Sequence, residues 1–219
     1  QPIGDHAEVL EDHDAYFHVD AAQGFGKDVE RLRNERIDLT SVSAHKVYGP
    51  KGIGALVVRG RKFERPPLEP LAVGGGQERG YRPGTQPLQL IAGFGKAAEL
   101  ALENHGERRE ANEEFRETAL DALMPLDPVI NGDSELALPH TLNLSFPGVD
   151  SEALMLSVKD LIAISNGSAC TSTDYEPSHV LQAMELPDEV RDGAVRLSWC
   201  HMTETPDWDA VVETIERLI

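Results

Sequence analysis

The chain has 219 residues and a formal net charge of −18 at pH 7, with 38 acidic against 20 basic residues. This length is enough for one large domain or two smaller ones with an apolar core. The acidic excess disfavours direct nucleic-acid binding, because that binding depends on neutralising phosphates with Lys and Arg. No apolar run approaches membrane-spanning length, so no membrane partner is expected.

Composition also predicts a compartment and an adaptation. The even spread of acids and the scarcity of lysine favour a halophilic protein, and an acidic partner-binding face is the alternative. The first 20 residues lack a signal-peptide pattern, which predicts a cytoplasmic location. Only two cysteines are present, Cys170 and Cys200, and in such a compartment a reactive thiol is favoured over a structural disulfide.

Strand and helix patterns alternate along the chain, which predicts an α/β fold. In chain order, the first half is predicted to hold short buried strands at Val19, 39–42 and 54–58, a turn or surface helix at 28–36, and a helical stretch at 87–119 with a break near Asn104. The second half is predicted to hold extended segments at 141–146, 162–165 and 194–198, and helices at 151–159, 179–184 and 207–219.

The segment 43–54, SAHKVYGPKGIG, places Lys46 between a predicted strand and a glycine-rich turn. A lysine becomes a covalent carrier when its amine condenses with an aldehyde cofactor, which requires a partly desolvated setting. Upstream, the segment 18–23, HVDAAQ, ends a short strand in a carboxylate and an amide. A nucleotide-binding phosphate loop is rejected, because its spaced glycines and its Lys-Ser or Lys-Thr ending are missing. Lys51 is therefore predicted to be a surface turn residue.

Three further segments carry candidate chemistry. Small residues surround Cys170 in ISNGSACTS (164–172), which predicts a mobile loop. A thiolate on such a loop can travel to attack a substrate sulfur and carry it away as a persulfide. Cys200, at a strand end, is predicted to be buried and inert. Arg196 has the planar guanidinium that suits carboxylate binding, with a structural salt bridge as the alternative. The third segment, 74–85, is a glycine-rich loop, GGGQERGYRPGT.

The first 18 residues contain several aspartates and histidines, which are Asp5, His6, Asp12, His13, Asp14 and His18. They lack a regular ligand spacing. An acidic surface segment is favoured over a metal site, and no metal is predicted.

Together these motifs resemble those of the class-V, fold-type-I pyridoxal-phosphate (PLP) enzymes, and more narrowly those of cysteine desulfurases. The continuation EPSHVL (176–181) after Cys170 favours the NifS/IscS-like branch. The resemblance implies that residues 1–105 are the C-terminal part of a PLP-binding large domain with a mostly parallel sheet. Residues 106–219 would form a smaller α+β domain that carries the mobile cysteine loop.

The resemblance also implies residue roles. Lys46 would hold pyridoxal 5′-phosphate and move protons at the substrate Cα, while Cys170 would take the sulfur. The other implied contacts are Asp20 to the pyridine nitrogen, Gln23 to the ring hydroxyl, Ser43 and His45 to the phosphate, Thr85 to the partner subunit's cofactor phosphate, and Arg196 to the substrate carboxylate. Two departures from the family pattern are Pro83, where a serine is expected, and the segment Trp199–His201, where glycine-arginine is expected.

The implied function is conversion of L-cysteine to L-alanine by a homodimer. The persulfide sulfur would pass to an iron–sulfur scaffold or a tRNA-thiolating enzyme. Alternatives are another class-V enzyme (a selenocysteine lyase or an aminotransferase) and a non-catalytic module for dimerisation or partner binding. Family motifs expected before Gln1, a glycine-threonine phosphate loop, a ring-stacking histidine and an asparagine, cannot be assigned. A fragment, a chain completed by a companion, and a degenerate product are therefore all open.

Overall fold

The computed structural model describes residues 1–61, 64–166 and 178–219, and the chain divides into two compact units, Gln1–His105 and Gly106–Ile219. In chain order the helices and strands are α1 Ile3–Val9, β1 His18–Asp20, α2 Val29–Leu32, β2 Leu39–Ser43, β3 Gly54–Val58, α3 Leu88–Glu103, α4 His105–Leu123, β4 Val129–Ile130, β5 Thr141–Ser145, α5 Ser151–Val158, α6 His179–Ala183, α7 Asp188–Asp192, β6 Ala194–Ser198 and α8 Trp208–Glu216. None of the helices in the described ranges is both long and apolar enough to cross a membrane.

The first unit contains a three-stranded sheet in the order β1-β2-β3. β1 runs parallel to β2, with His18 opposite Leu39 and Asp20 opposite Ser41, and β3 is antiparallel to β2. Side chains alternate between the faces of a strand. Val19 on β1 and Val42 on β2 are buried among apolar side chains of α1, α2 and α3, namely Ile3, Leu32 and Phe94. His18 and Asp20, on the alternate face, are exposed.

The buried carboxylate of Asp38 fixes the opposite end of this sheet. It forms ion pairs with Arg36 (2.9 Å) and Arg61 (2.5 Å) and accepts the backbone N–H of Phe17 (2.7 Å). The same two guanidiniums donate to backbone carbonyls of the segment that follows α1, which are those of Leu10, His13, Asp14 and Ala15. The acid- and histidine-rich start of the chain is thus helix α1 followed by a loop held by two arginines.

The pKa of Asp38 is lowered by these contacts. Burial acts in the opposite direction and would raise the pKa of this carboxyl. The hydrogen bonds from Arg61 and from the Phe17 N–H, with the charges of Arg61 and Arg36, outweigh burial. The carboxylate therefore stays ionised although its side chain is only 4% exposed.

The second unit contains an antiparallel sheet in the order β4-β5-β6. Its core side buries Leu142 and Leu144 from β5 and Val195 and Leu197 from β6, together with apolar residues of α4, α5 and α8. Trp199 closes this core, and its indole N–H donates to the carbonyl of Asn112 (3.0 Å).

Local sequence explains where several helices begin and end. Asp150 accepts the Ala153 N–H (2.8 Å) at the start of α5, and Asp207 accepts the Ala210 N–H (3.1 Å) at the start of α8. Asn104 separates α3 from α4, and its side-chain amide donates to the Leu100 carbonyl (2.8 Å). The predicted break near Asn104 is therefore confirmed.

Three features differ from the sequence predictions. β3 is a strand but not a buried one, since Leu56 is 48% and Val57 54% exposed. Residues 162–165 do not form a strand, because Ser165 makes only an isolated bridge to Arg196. Helices α1 and α7 and strand β4 were not predicted.

Candidate functional site

Asp20 and Ser43 end two adjacent parallel strands, so they lie at the same edge of the sheet. Ligands of open α/β sheets bind outside the carboxyl ends of the strands. Gln23 follows Asp20 in the next turn, and His45 and Lys46 follow Ser43. Five of the predicted site residues thus come from the two chain segments that leave this one edge.

The turn after β2 orients His45 and Lys46 away from the core. It is a 3₁₀ turn, Ala44–Val47, in which Ala44 is fully buried and Val47 nearly so. Residues three apart in a 3₁₀ turn lie on the same side. Val47 contacts the buried alanines of α3, so the two residues between Ala44 and Val47 face the opposite way. His45 is exposed and Lys46 is half-buried.

Close backbone packing fixes the end of this turn. Tyr48 adopts a left-handed conformation (φ 66°), and the Gly49 N–H donates to the Ala44 carbonyl (2.9 Å). A side chain at Gly49 would place its Cβ 2.9 Å from the Ala44 carbonyl oxygen and 3.2 Å from the Ala97 Cβ. Glycine is needed here because the turn lies against α3. Lys51, two residues later, is exposed in the next turn.

Side-chain hydrogen bonds order part of the site. Ser43 Oγ and His45 Nδ1 are 3.0 Å apart and hydrogen-bonded, so a hydroxyl and an imidazole lie side by side. Asp20 Oδ1 accepts the backbone N–H of Ala22 (3.0 Å), which holds the carboxylate at the strand end. Asp20 and Gln23 are both exposed and accessible to a ligand.

His18 and Ser41 form a contact that was not predicted from the sequence. His18 Nε2 and Ser41 Oγ are hydrogen-bonded at 2.7 Å. Both lie on the sheet face that carries Asp20, because His18 is two residues before Asp20 and Ser41 is its register partner. The sequence offered one signal for this, because His18 is two residues from Asp20 and residues two apart on a strand lie on the same face.

Thr85 belongs to a different chain segment from this group. It is exposed, and it follows a glycine-rich stretch in which residues 71–80 are all exposed. Within the described parts of the first unit, no hydrogen bond joins Thr85 to Asp20, Ser43, His45 or Lys46.

Arg196 lies at the centre of β6 in the second unit, and its side chain is exposed. Its guanidinium forms no ion pair with any residue in the described ranges, so the predicted alternative of a structural salt bridge is not formed there. Its backbone N–H donates to the Ser165 carbonyl (2.6 Å), and its carbonyl accepts the Ser165 N–H (3.1 Å).

Cys170 lies outside the described residues. Cys200, predicted to be buried, is half-buried, and its sulfur accepts a hydrogen bond from the Thr203 hydroxyl (3.6 Å). Trp199 begins the segment in which glycine-arginine was expected. Its side chain packs in the core of the second unit. Burial, aided by the charge of Arg108, lowers the pKa of His201.

Residues 1–211 match the family model for class-V aminotransferases. The chain belongs to this family. Cysteine desulfurase IscS from Vibrio cholerae is 43% identical over 216 residues, which is 98% of this chain and 53% of that protein. Among solved structures, DndA from Streptomyces lividans matches 94% of this chain and 57% of its own, with 41% identity and a TM-score of 0.77. A NifS-like protein from Rickettsia africae matches 99% of this chain and 57% of its own, with 27% identity and a TM-score of 0.81.

The predicted fold-type-I α/β fold and the predicted family are thereby confirmed. The chain spans about half the length of the curated relatives it matches. Class-V aminotransferases use pyridoxal 5′-phosphate. The donor set at the sheet edge fits this cofactor, since it combines an amine, a carboxylate, a primary amide, and a hydrogen-bonded hydroxyl and imidazole.

Proposed function

We propose that the protein containing this chain is a cysteine desulfurase that uses pyridoxal 5′-phosphate to convert L-cysteine to L-alanine. The observation that carries the proposal is the sheet edge, where Asp20, Ser43, His45 and Lys46 leave two parallel strands. Relatives named cysteine desulfurase, at 43–46% identity, support the choice of reaction.

The residues divide the work at the sheet edge. Ser43 and His45 would bind the cofactor phosphate, Gln23 would donate to the ring hydroxyl, and Asp20 would keep the pyridine nitrogen protonated. The bound cofactor supplies an electron sink for the substrate Cα. Lys46 would hold the cofactor covalently and, as a free amine, would move the proton at that carbon.

Cys170 takes the sulfur. Its thiolate attacks the substrate sulfur, so that an S–S bond forms as the C–S bond breaks. The electron pair of the broken bond stays on the substrate Cβ, which gains a proton and becomes the alanine methyl group. The thiol of Cys170 becomes a persulfide, and no external oxidant is required.

Arg196 is the proposed contact for the substrate carboxylate. Its guanidinium forms no ion pair with an acidic residue in the described ranges. Ser165 is the hydrogen-bonded partner of Arg196, and Cys170 follows Ser165 by five residues.

A homodimer is part of the proposal. Leu71 is fully exposed and Val73 is 88% exposed, beside the loop that leads to Thr85. Large exposed apolar side chains close together indicate an interaction surface. Thr85 would then reach the partner subunit's cofactor phosphate. The sulfur acceptor would be an iron–sulfur scaffold or a tRNA-thiolating enzyme, in the cytoplasm.

The test measures alanine and sulfide released from L-cysteine, with a thiol reductant present, by the purified PLP-loaded chain. Cys170→Ala should lower the rate by about a hundredfold or more, because the covalent acceptor is lost. Cys200→Ala is the matched control and should retain the wild-type rate. Release of alanine that does not depend on Cys170 would favour another class-V enzyme. No release by wild type would favour a non-catalytic module.

A further inference from the structure

We propose that Asn143 is a second carboxylate-binding residue, which presents its amide N–H groups beside the guanidinium of Arg196. The inference rests on the proposed function, because it extends the role proposed there for Arg196. It is carried by the strand register of the second unit and by a side-chain hydrogen-bond chain across β4 and β5.

The register brings the two side chains together. Asn143 on β5 is directly opposite Arg196 on β6. Both backbone polar groups of Arg196 bond to Ser165, on the far side of β6 from β5. The pair with Asn143 is therefore the closer, non-hydrogen-bonded kind, with Cα atoms about 4.5 Å apart and side chains on one face.

A second amide fixes the orientation of Asn143. Asn131 Nδ2 donates to Asn143 Oδ1 (2.7 Å) and to Ser145 Oγ (2.6 Å). Ser145 is fully buried, so Asn131 is hydrogen-bonded to a residue of the protein interior. Since Oδ1 of Asn143 is directed to Asn131, its Nδ2 points away from β4, and β6 with Arg196 lies on that side of β5.

The pair has unused donors. Within the described ranges, Asn143 Nδ2 donates to no protein group, and the Arg196 guanidinium forms no ion pair. Asn143 is half-buried and Arg196 is exposed, so a small ligand can reach both. A carboxylate has two oxygens, each able to accept from a different donor. The chemistry that fits this pair is the α-carboxylate of an amino acid.

The test compares L-alanine, the proposed product, with L-alaninamide, which lacks the carboxylate. Dissociation constants are measured by calorimetric titration of the PLP-loaded chain, and thermal unfolding of each variant checks its fold. Asn143→Ala should weaken L-alanine binding about tenfold and leave L-alaninamide binding unchanged. Asn143→Asp should weaken L-alanine binding further. It preserves the shape and the acceptor for Asn131 but places an anion beside the ligand carboxylate.

Ser198→Ala is the matched control, because Ser198 lies two residues from Arg196 on the same strand and face. It should bind L-alanine like wild type. If Arg196→Ala weakens L-alanine binding while both folded Asn143 variants bind like wild type, the inference is overturned and the proposed function stands. Equal weakening for both ligands would also overturn it, since the role would then be structural. A wild-type chain that binds no L-alanine would overturn both proposals.

Discussion

Asp20 and Ser43 end neighbouring parallel strands at one edge of the first sheet, and the register pairs Asp20 with Ser41. This relationship places a carboxylate next to the segment that contains Lys46, although 26 residues of sequence separate Asp20 from Lys46. The proposed cofactor chemistry depends on it. In that proposal Asp20 would pair with the ring nitrogen and Lys46 would hold the cofactor.

Replacing Asp20 tests that division of roles. Asp20→Asn should lower the rate of alanine release by about a hundredfold, because a neutral amide cannot stabilise the positive charge on the ring nitrogen. PLP should still attach to Lys46. Asp5→Asn, an exposed acid of α1, is the control and should retain the wild-type rate. An Asp20→Asn chain that released alanine at the wild-type rate would remove Asp20 from the site.

The close approach at Gly49 predicts a specific loss of stability. Gly49→Ala should cost about 1–3 kcal/mol in the free energy of unfolding, because the new methyl group meets the Ala44 carbonyl oxygen at 2.9 Å. PLP affinity should fall with it, since the turn carries Lys46. Gly95→Ala on α3 meets no atom within 4 Å, so it should be neutral or stabilise by up to about 1 kcal/mol. Urea unfolding measures both, and equal effects would contradict the packing described for this turn.

The Asp38 ion pairs also predict a loss of stability. Asp38→Asn should destabilise the first unit by about 3 kcal/mol, because two partly buried guanidiniums lose their shared anion. The control is Glu30→Gln, which removes an exposed pair with Arg33 and should cost less than about 1 kcal/mol. Urea unfolding at neutral pH compares the two. Similar small losses would show that the Asp38 contacts do not stabilise the fold.

The lowered pKa of Asp38 gives this effect a pH dependence. A carboxyl whose pKa is lower in the folded state stabilises fully above its unfolded value, 3.8, and loses that contribution as pH falls through the folded value. The difference in unfolding free energy between wild type and Asp38→Asn should therefore shrink as pH falls from about 5 to about 3. A difference that stayed constant or grew on acidification would contradict the assigned pKa direction.

Sequence predicted the local elements better than their surroundings. The apolar run at Gly54–Val58 was predicted to be a buried strand, and it is a strand, but Leu56 and Val57 are exposed because the described chain supplies nothing that covers them. An apolar run indicates that a strand is buried against another element. It does not indicate which element or which chain provides that contact. At 162–165 the same kind of pattern produced only one bridge, because only Ser165 pairs with β6.

Contacts between distant residues were the part that sequence could not predict. Arg61 and Asp38 are 23 residues apart, and nothing in a list of charges shows that they pair. The side-chain hydrogen bond from Asn131 to Asn143 likewise could not be predicted, because it depends on the register of β4 and β5. The residues near Lys46 were predictable, because they lie in short motifs that follow strand ends.

The most direct test of the account is chemical identification of the lysine that binds PLP. The chain is incubated with PLP, reduced with borohydride and digested, and the modified peptide is identified by mass spectrometry. We expect one modified lysine, Lys46, no modification in Lys46→Ala, and unchanged modification in Lys51→Ala, which alters an exposed lysine of the same segment. Modification of a different lysine, or no modification of the wild-type chain, would contradict the central claim.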